Sequence, residues 1–381
     1  MHQVDLFSAH LRKEQLKKLS AHTEVRQGTL EQRQRVYFKQ GLYNLNKLRD
    51  RNLLSPEAID LFTSDLTLPE NRIFNKIPDS AFFSVARAVA MEKTFFSGSR
   101  DETIQLAMLM SIFTNLYDEI MDESSHLLEQ GDKRWMHEVM SKRHWTGGNP
   151  PSLPEMHHRN PAVRILLEVI HSIISLVTSQ PVWEHDSILR AEFGAASAAA
   201  FFSENDSVEV PGLHQIPFNI QTLGEKLQSK SVNWAWAVSL APFCIHGWPS
   251  DIAPEQLRLV VSKLGLLGGW LDDLSDIEQD YVSGKWSNVF VELYKLLSFL
   301  PVARTDFPAV IRNCMADEAV VRHLVHIGSA YYLDLIDSLQ QVRSDTEPFK
   351  EITHDTILMF LSPAWNNGVY QEHPVHHENN L

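Results

Sequence analysis

Cysteine is nearly missing from this chain: Cys244 and Cys314 are the only two, each alone in an apolar or mixed segment. That excludes a disulfide framework and a thiolate metal site, and it fits a reducing compartment. Long apolar runs are missing as well. No window reaches ~18 uninterrupted apolar residues, and the first residues, MHQVDLFSAHLRKEQLKK, lack the continuous apolar stretch of a secretory signal. The best candidate, ILLEVIHSIISLV at residues 165 to 177, carries Glu168 and His171 and reads as a core helix. The expectation is a cytoplasmic protein with no membrane span. Basic runs are also missing. With a formal charge of −14, the chain lacks the clustered Lys and Arg that a nucleic-acid surface needs. Acidity still permits a phosphate substrate, because divalent cations bridge two sets of negative groups. Alternating strand patterns are scarce, and no internal repeat or low-complexity tract stands out.

What is present is helical punctuation. A hydrophobic share of 44% over 381 residues supplies a sizeable core. Length alone suggests two to three domains at ~150 residues each, but one large helical body with appendages is the preferred reading. Prolines at 78, 150, 151, 154, 161, 181, 211, 217, 249, 254, 301, 308, 348 and 363 mark out helix-length segments, since proline removes a donor and clashes with the preceding turn. We divide the chain into an N-terminal helical extension (1–75) packing on the main body, a catalytic body (76–370) and a flexible tail (371–381). Residues 1 to 50 carry an excess of basic side chains with spaced Leu and Tyr, the pattern of an exposed helix or helical hairpin. They pack across the main body or meet a partner; a solvated helical face is the plainer alternative. TGGNPPSLPEMHHRNP, residues 146 to 161, is the clearest loop. The histidines of QEHPVHHENNL belong to a frayed end rather than a metal site.

Two acidic stretches carry the chemistry. In FTNLYDEIMDESS, residues 113 to 125, Asp118 and Asp122 stand four apart and share a helix face, with Glu119 and Glu123 further round. In GGWLDDLSDIEQD, residues 268 to 280, Asp272, Asp276 and Asp280 recur every four residues, Asp273 stands at the edge of that stripe, and Leu271, Leu274 and Ile277 turn the other way. Like charges at this spacing destabilise a helix by roughly 0.2–0.5 kcal/mol per pair, so either cations offset them or the stripe faces water. A solvated acidic face is the ordinary explanation. Against it stands the lead into the second stretch, LGLLGGWL, whose Gly265, Gly268 and Gly269 each cost a helix on the order of 1 kcal/mol relative to Ala. Such a helix needs a close neighbour or an empty space on that face. An empty space beside carboxylates is a substrate cavity.

Hard divalent cations such as Mg²⁺ bind through one or two carboxylates plus substrate phosphates and water. Two acidic helices facing each other could clamp several such ions on one diphosphate and make it a leaving group. Lys230, in QSKSVNWAWAVSLAPF, opens an apolar helix 42 residues before Asp272, and Lys285 follows the second stripe in VSGKWSN. Both suit the diphosphate, and both also suit ordinary helix ends.

These residues resemble the class I isoprenoid synthases, which include trans-prenyl diphosphate synthases and class I terpene synthases. DEIMDES is similar to the first aspartate-rich motif of that family, DDxxD, with Glu119 in place of the second Asp. DDLSDIEQDYVSGK resembles the second motif with its trailing Gly-Lys, and the Lys-Ser at Lys230 resembles the Lys-Thr that precedes it. The likeness covers about residues 80 to 300. It implies an all-α fold, a large antiparallel helical bundle with a central apolar cavity, and a homodimer as the candidate assembly, since relatives are often dimers. It implies Asp118, Glu119, Asp122, Asp272, Asp276 and Asp280 as ligands of Mg²⁺, about three ions bridging the substrate diphosphate, with Lys230 and Lys285 on that diphosphate. Chain-elongating members carry Gly-Gly-Lys-Arg upstream of the first motif and Arg-Arg-Gly after it, where this chain has FFSVARAVAMEKTFFSGSR and HLLEQGDKRW. With the second phosphate site missing, the resemblance implies a one-substrate enzyme, a terpene synthase that cyclises or quenches the cation in an apolar pocket. Phe113, Asn115, Asn233, Trp234 and Gly268 are the candidates to line it, with Trp270, although aromatic residues at helical spacing are more often core.

Three alternatives are weighed. A prenyltransferase would use Lys93, Arg100, Lys133 or Arg134 for a second substrate. A di-iron carboxylate bundle would use the Glu-x-x-His pairs Glu123/His126, Glu168/His171 and Glu351/His354. A non-catalytic partner subunit of a prenyl synthase would be expected to lose acids that this chain keeps.

Overall fold

The computed structural model describes residues 2–20, 27–63, 74, 77–96, 98, 100–123, 125–141, 145, 160–207, 219–297, 313–314, 317–343 and 346–361. Among them there is no strand, and the architecture is all-α. The helices are α1 (His2–Ser20), α2 (Gln27–Asp50), α3 (Pro56–Thr63), α4 (Ile77–Phe95), α5 (Asp101–Glu123), α6 (Gln130–Met140), α7 (Pro161–Thr178), α8 (Pro181–His185), α9 (Ser187–Ser207), α10 (Ile220–Ser239), α11 (Ala241–His246), α12 (Pro254–Ser283), α13 (Asn288–Leu297), α14 (Glu318–Val342) and α15 (Glu347–Leu361). A short 3₁₀ turn, Ser125–Leu127, follows α5.

The prolines do what their chemistry dictates. Pro161, Pro181 and Pro254 each stand at the start of a helix, where the missing N–H would have had no intrahelical partner anyway. Polar caps complete the starts. The Asn160 side chain accepts from the Ala162 and Val163 amides, Asn219 from those of Gln221 and Thr222, and Asp317 from Ala319. At the far end of α12, Gly284 takes the left-handed conformation (φ 72°) and the Lys285 amide reaches back to the Asp280 carbonyl at 2.8 Å. That is the glycine C-terminal motif, and it fixes where Lys285 leaves the helix.

Helix α5 packs between α4 and α7, α10 between α9 and α12, and α12 against α14, while α15 folds back on α4. The core therefore runs through α5, whose residues Leu106, Ala107, Met108, Leu109, Ile112 and Leu116 are all fully buried. Helix α7 is the one described helix long and apolar enough to cross a membrane, and most of it is buried inside the bundle. The basic N-terminal segment is not solvated all round. Helix α1 lies across α12, α14 and α15, burying Phe7, Leu11 and Leu19, and Ser8 Oγ donates to the Leu274 carbonyl at 3.2 Å. The loop at 146–159 and the tail beyond residue 361 lie outside the described residues.

Two of the α12 glycines explain how closely α10 approaches. A Cβ on Gly265 would stand 2.7 Å from Val232 Cα and 2.9 Å from the Ser231 carbonyl, and one on Gly269 would stand 2.3 Å from Ser231 Oγ. Around Gly268 there is nothing within 4 Å. Both consequences expected of a glycine-rich face are thus present, a tight helix crossing at 265 and 269 and open space at 268.

Candidate functional site

The site grows from that crossing. Lys230 sits one residue before Ser231, midway along α10 rather than at its start, because the Asn219 cap begins the helix ten residues earlier than the apolar run suggests. Its Nζ donates to Asp118 Oδ1 on α5 at 2.8 Å. Both side chains keep about a third or less of their surface in water, 27% for Lys230 and 33% for Asp118, so the pair is neither freely solvated nor sealed. Glu119 is half-buried beside it; Asp122 lies one turn further along α5, and its side chain falls outside the described residues.

On α12, the face that carries Gly269 continues one turn later to Asp273, and Lys230 lies within electrostatic reach of that carboxylate. Leu271, Leu274 and Ile277 are buried on other faces, as their spacing requires. Asp272, one turn after the open Gly268, is exposed, while Asp276 and Asp280 are half-buried. Asp273 accepts from both the Asn288 amide (2.6 Å) and Asn288 Nδ2 (2.7 Å). It therefore caps α13 and ties down the turn that holds Lys285.

Two carboxyls on this helix are raised despite nearby cations. Burial first, and then Asp276, pushes the Asp273 carboxyl up to about 7 against the pull of Asn288 and Lys230. Asp280 is pushed to about 8, again by burial first and then by Asp273, Asp276 and Asp272, with Lys285 opposing. From α1, Arg12 lies within electrostatic reach of Asp276; burial lowers its pKa more than that acid raises it. From α14, burial, Glu292, Asp273 and Asp334 raise the Tyr331 phenol, which accepts from Gln228 Nε2 at 3.4 Å.

Below the ion pair lies an apolar pocket. Thr114 is one turn before Asp118 on α5, and Trp234 is one turn after Lys230 on α10. Both line the pocket, with Phe113 and Met110 on α5, Val238 on α10 and Phe193 on α9. The pocket is narrow and partly open, with about 400 Å³ of atom-free volume that includes solvent at its mouth. As the side chains stand, its interior has room for about one water molecule. Phe113 packs edge-to-face on Trp234 at 5.5 Å, and an aromatic corner of Trp145, Trp183 and Phe193 backs the far wall. Of the residues expected to line a cavity, Phe113 and Trp234 do so. Asn115 donates instead to the Ser111 carbonyl and Asn233 to that of Ala199, and Gly268 faces the open space described above.

Two polar features carried no signal in the sequence. Glu92 on α4 is fully buried, and its Oε1 accepts from Thr103 Oγ1 at 2.5 Å, from the Arg100 amide at 3.1 Å and meets His246 Nε2 at 2.6 Å. This node fastens the α4–α5 turn to α11; an acid inside the apolar run AVAMEKTFF was its only trace. The second is Tyr331, one of two adjacent tyrosines in α14 with nothing to distinguish it. The Glu-x-x-His pairs are engaged or apart. Glu168 holds the Ser55 amide and hydroxyl, His354 meets Tyr332 Oη at 2.5 Å, and His126 and His171 are exposed.

Among the described residues, no three acid, histidine or cysteine side chains converge as a finished metal cage. The described donors are all carboxylates, exposed at Asp272 and half-buried at Asp118, Glu119, Asp276 and Asp280. They suit a hard divalent ion that brings water and phosphate oxygens with it rather than one held by protein alone. No protein-family model matches this chain, and a search of curated proteins finds no match either.

Proposed function

We propose that the protein is a Mg²⁺-dependent class I terpene synthase, which ionises an allylic prenyl diphosphate, releases diphosphate and gives a terpene hydrocarbon or alcohol. The observation that carries this reading is Lys230. It pairs with Asp118 of α5 and lies within electrostatic reach of Asp273 on α12, and it stands one turn from the aromatic lining of an apolar pocket. A charged end and an apolar end that share two helices match a substrate with the same two ends.

Asp118 and Asp122 on α5, with Asp272, Asp276 and Asp280 on α12, would hold Mg²⁺; the mutual repulsion that helps to raise Asp280 supports that assignment. When bound, the metal neutralises the departing diphosphate. Lys230 and Lys285 bind the same diphosphate from opposite ends of the acid row, so that negative charge developing on the leaving oxygen is met by fixed cations. The allylic C–O bond breaks heterolytically; both electrons leave with oxygen, and the carbocation remains over Phe113 and Trp234. Aromatic faces stabilise such a cation by roughly 0.5–2 kcal/mol. It ends by losing a proton to the released diphosphate, which gives a hydrocarbon, or by capturing water that passes its surplus proton to that diphosphate, which gives an alcohol. To admit the prenyl chain, the pocket must widen, and Met110 and Met140 on its wall have the rotatable thioether chains to allow it.

The test is incubation with C10, C15, C20 and C25 diphosphates and Mg²⁺, with diphosphate release and product analysis as readouts. A terpene product that depends on Mg²⁺ supports the reading. Release that requires a second prenyl or aromatic acceptor would assign the protein to prenyl transfer instead.

A further inference from the structure

We propose that Lys230 is an internal counterion that holds the metal site shut until a phosphate anion arrives, so that divalent cation and diphosphate bind together and not one before the other. This rests on the function proposed above and adds an order to it.

The inference starts from the ion pair. The Lys230 ammonium is already within 2.8 Å of Asp118 Oδ1, and it is also the cation within reach of Asp273. It therefore stands on the ground between the two acidic helices that a bridging metal would need. A divalent ion placed on Asp118 would meet that ammonium at close range in a half-buried site, where like charges are screened weakly. The backbone beneath Lys230 cannot retreat to make room. Ser231 and Val232, the next two residues, are clamped against Gly265 and Gly269 of α12, at a spacing that would not accommodate even one added Cβ atom.

Only the side chain can move, and lysine suits that task. Its charge is a compact point on a flexible stem with three donors, free to trade one oxygen for another. A diphosphate offers that exchange. As its oxygens take the ammonium from Asp118, the carboxylate is freed for the metal, and the metal in turn strengthens the hold on the diphosphate. Linkage makes this coupling reciprocal: whatever factor the anion adds to metal affinity, the metal adds to anion affinity. The consequence is a site that resists loading with metal alone.

The experiment uses the full chain and a paramagnetic metal. Mn²⁺ binding is measured by electron paramagnetic resonance in the wild type, Lys230→Met and Lys230→Arg, first with the metal alone and then with inorganic diphosphate titrated in the presence of Mg²⁺. Circular dichroism confirms that each variant is folded. We expect Lys230→Met to bind Mn²⁺ alone about tenfold more tightly than wild type while binding diphosphate more weakly, and Lys230→Arg to stay close to wild type in the metal titration. Opposite shifts in the two affinities are something a merely structural lysine would not produce. If folded Lys230→Met binds Mn²⁺ no better than wild type, the counterion proposal is overturned, even where prenyl diphosphates are turned over. If Mn²⁺ binding tightens and diphosphate binding weakens while no prenyl diphosphate is turned over by wild type, the counterion survives and the terpene synthase reading falls.

Discussion

Helices α5 and α12 carry similar acidic stretches, yet they are electrostatic opposites. On α5, Asp118 has a lysine at 2.8 Å. On α12, four aspartates share one stretch of helix, and two of them are pushed up to about 7 and 8, mainly by burial and then by one another. On α5 a cation touches its acid, whereas at Asp273 and Asp280 of α12 burial and mutual repulsion outweigh the pull of Lys230 and Lys285. The difference follows from packing. Lys230 reaches α5 because α10 lies against both helices, whereas α13, which packs on α12, meets Asp273 with the amide and side chain of Asn288. A site built this way has a place for the first positive charge to go and a reason for it to go there.

The largest effect should come from neutralising each side in turn. Asp118→Asn and Asp276→Asn are both expected to lower turnover of a prenyl diphosphate by about 10² or more, since each removes charge needed only around the leaving group. Their stabilities should part. Asp118→Asn removes the ion pair with Lys230 and lowers stability, by under about 1 kcal/mol because the pair is partly solvated. Asp276→Asn relieves repulsion on α12 and raises it. Urea melts of both variants check the sign, and two destabilised proteins would break the contrast between the helices.

Next in size is the seam that brings α10 to α12. Gly265→Ala presses a methyl against the Val232 backbone and should cost about 1–3 kcal/mol by overpacking. At Gly268 there is open space within 4 Å, so Gly268→Ala should stabilise the helix by up to about 1 kcal/mol. Thermal unfolding of the two variants reads this directly. These glycines also mark how far sequence reached. Their clustering beside an acidic stripe made a close neighbour or an empty space legible, though not which glycine would meet which, because a missing side chain is visible in the letters. The all-α class, the punctuation of helices by proline and the buried back of α12 at Leu271, Leu274 and Ile277 were legible for the same local reasons. Contacts between distant segments were not. Nothing in the chain announces that Lys230 meets Asp118 across 112 residues, that Asp273 caps the following helix, or that Glu92 meets His246; each depends on how helices turn about their own axes, which periodicity leaves open once both faces of a helix are buried.

A pH series sharpens the comparison further. The raised carboxyls of Asp273 and Asp280 bind protons more tightly in the folded chain than in the unfolded one, where their pKa is near 3.9. Their contribution to stability is therefore complete below about pH 4 and is lost as pH rises through about 7 and 8. The expected melting temperature, so far as α12 governs it, falls between pH 5 and 8.5. Asp280→Asn should flatten that slope, and millimolar Mg²⁺ with diphosphate should restore the melting temperature at the alkaline end. Asp118→Asn should leave the slope as it is. A slope equally sensitive to both substitutions would place the uncompensated charge elsewhere.

The smallest effect belongs to Asp273, where two contributions oppose. Asp273→Asn keeps an oxygen that can accept from the Asn288 amide, so the cap on α13 and the Lys285 turn persist; loss of such a cap outright typically costs about 1 kcal/mol. Removing the charge also relieves Asp280, and the two changes leave stability within about 1 kcal/mol of wild type. Asp273→Ala keeps the relief but drops the acceptor, leaving the Asn288 amide with no partner from α12. The difference between the two variants, read by urea melts at pH 8, isolates the cap. Melting at pH 5, where the wild-type acid is already largely protonated, should shrink the Asn variant's gain and leave the Ala variant's loss in place.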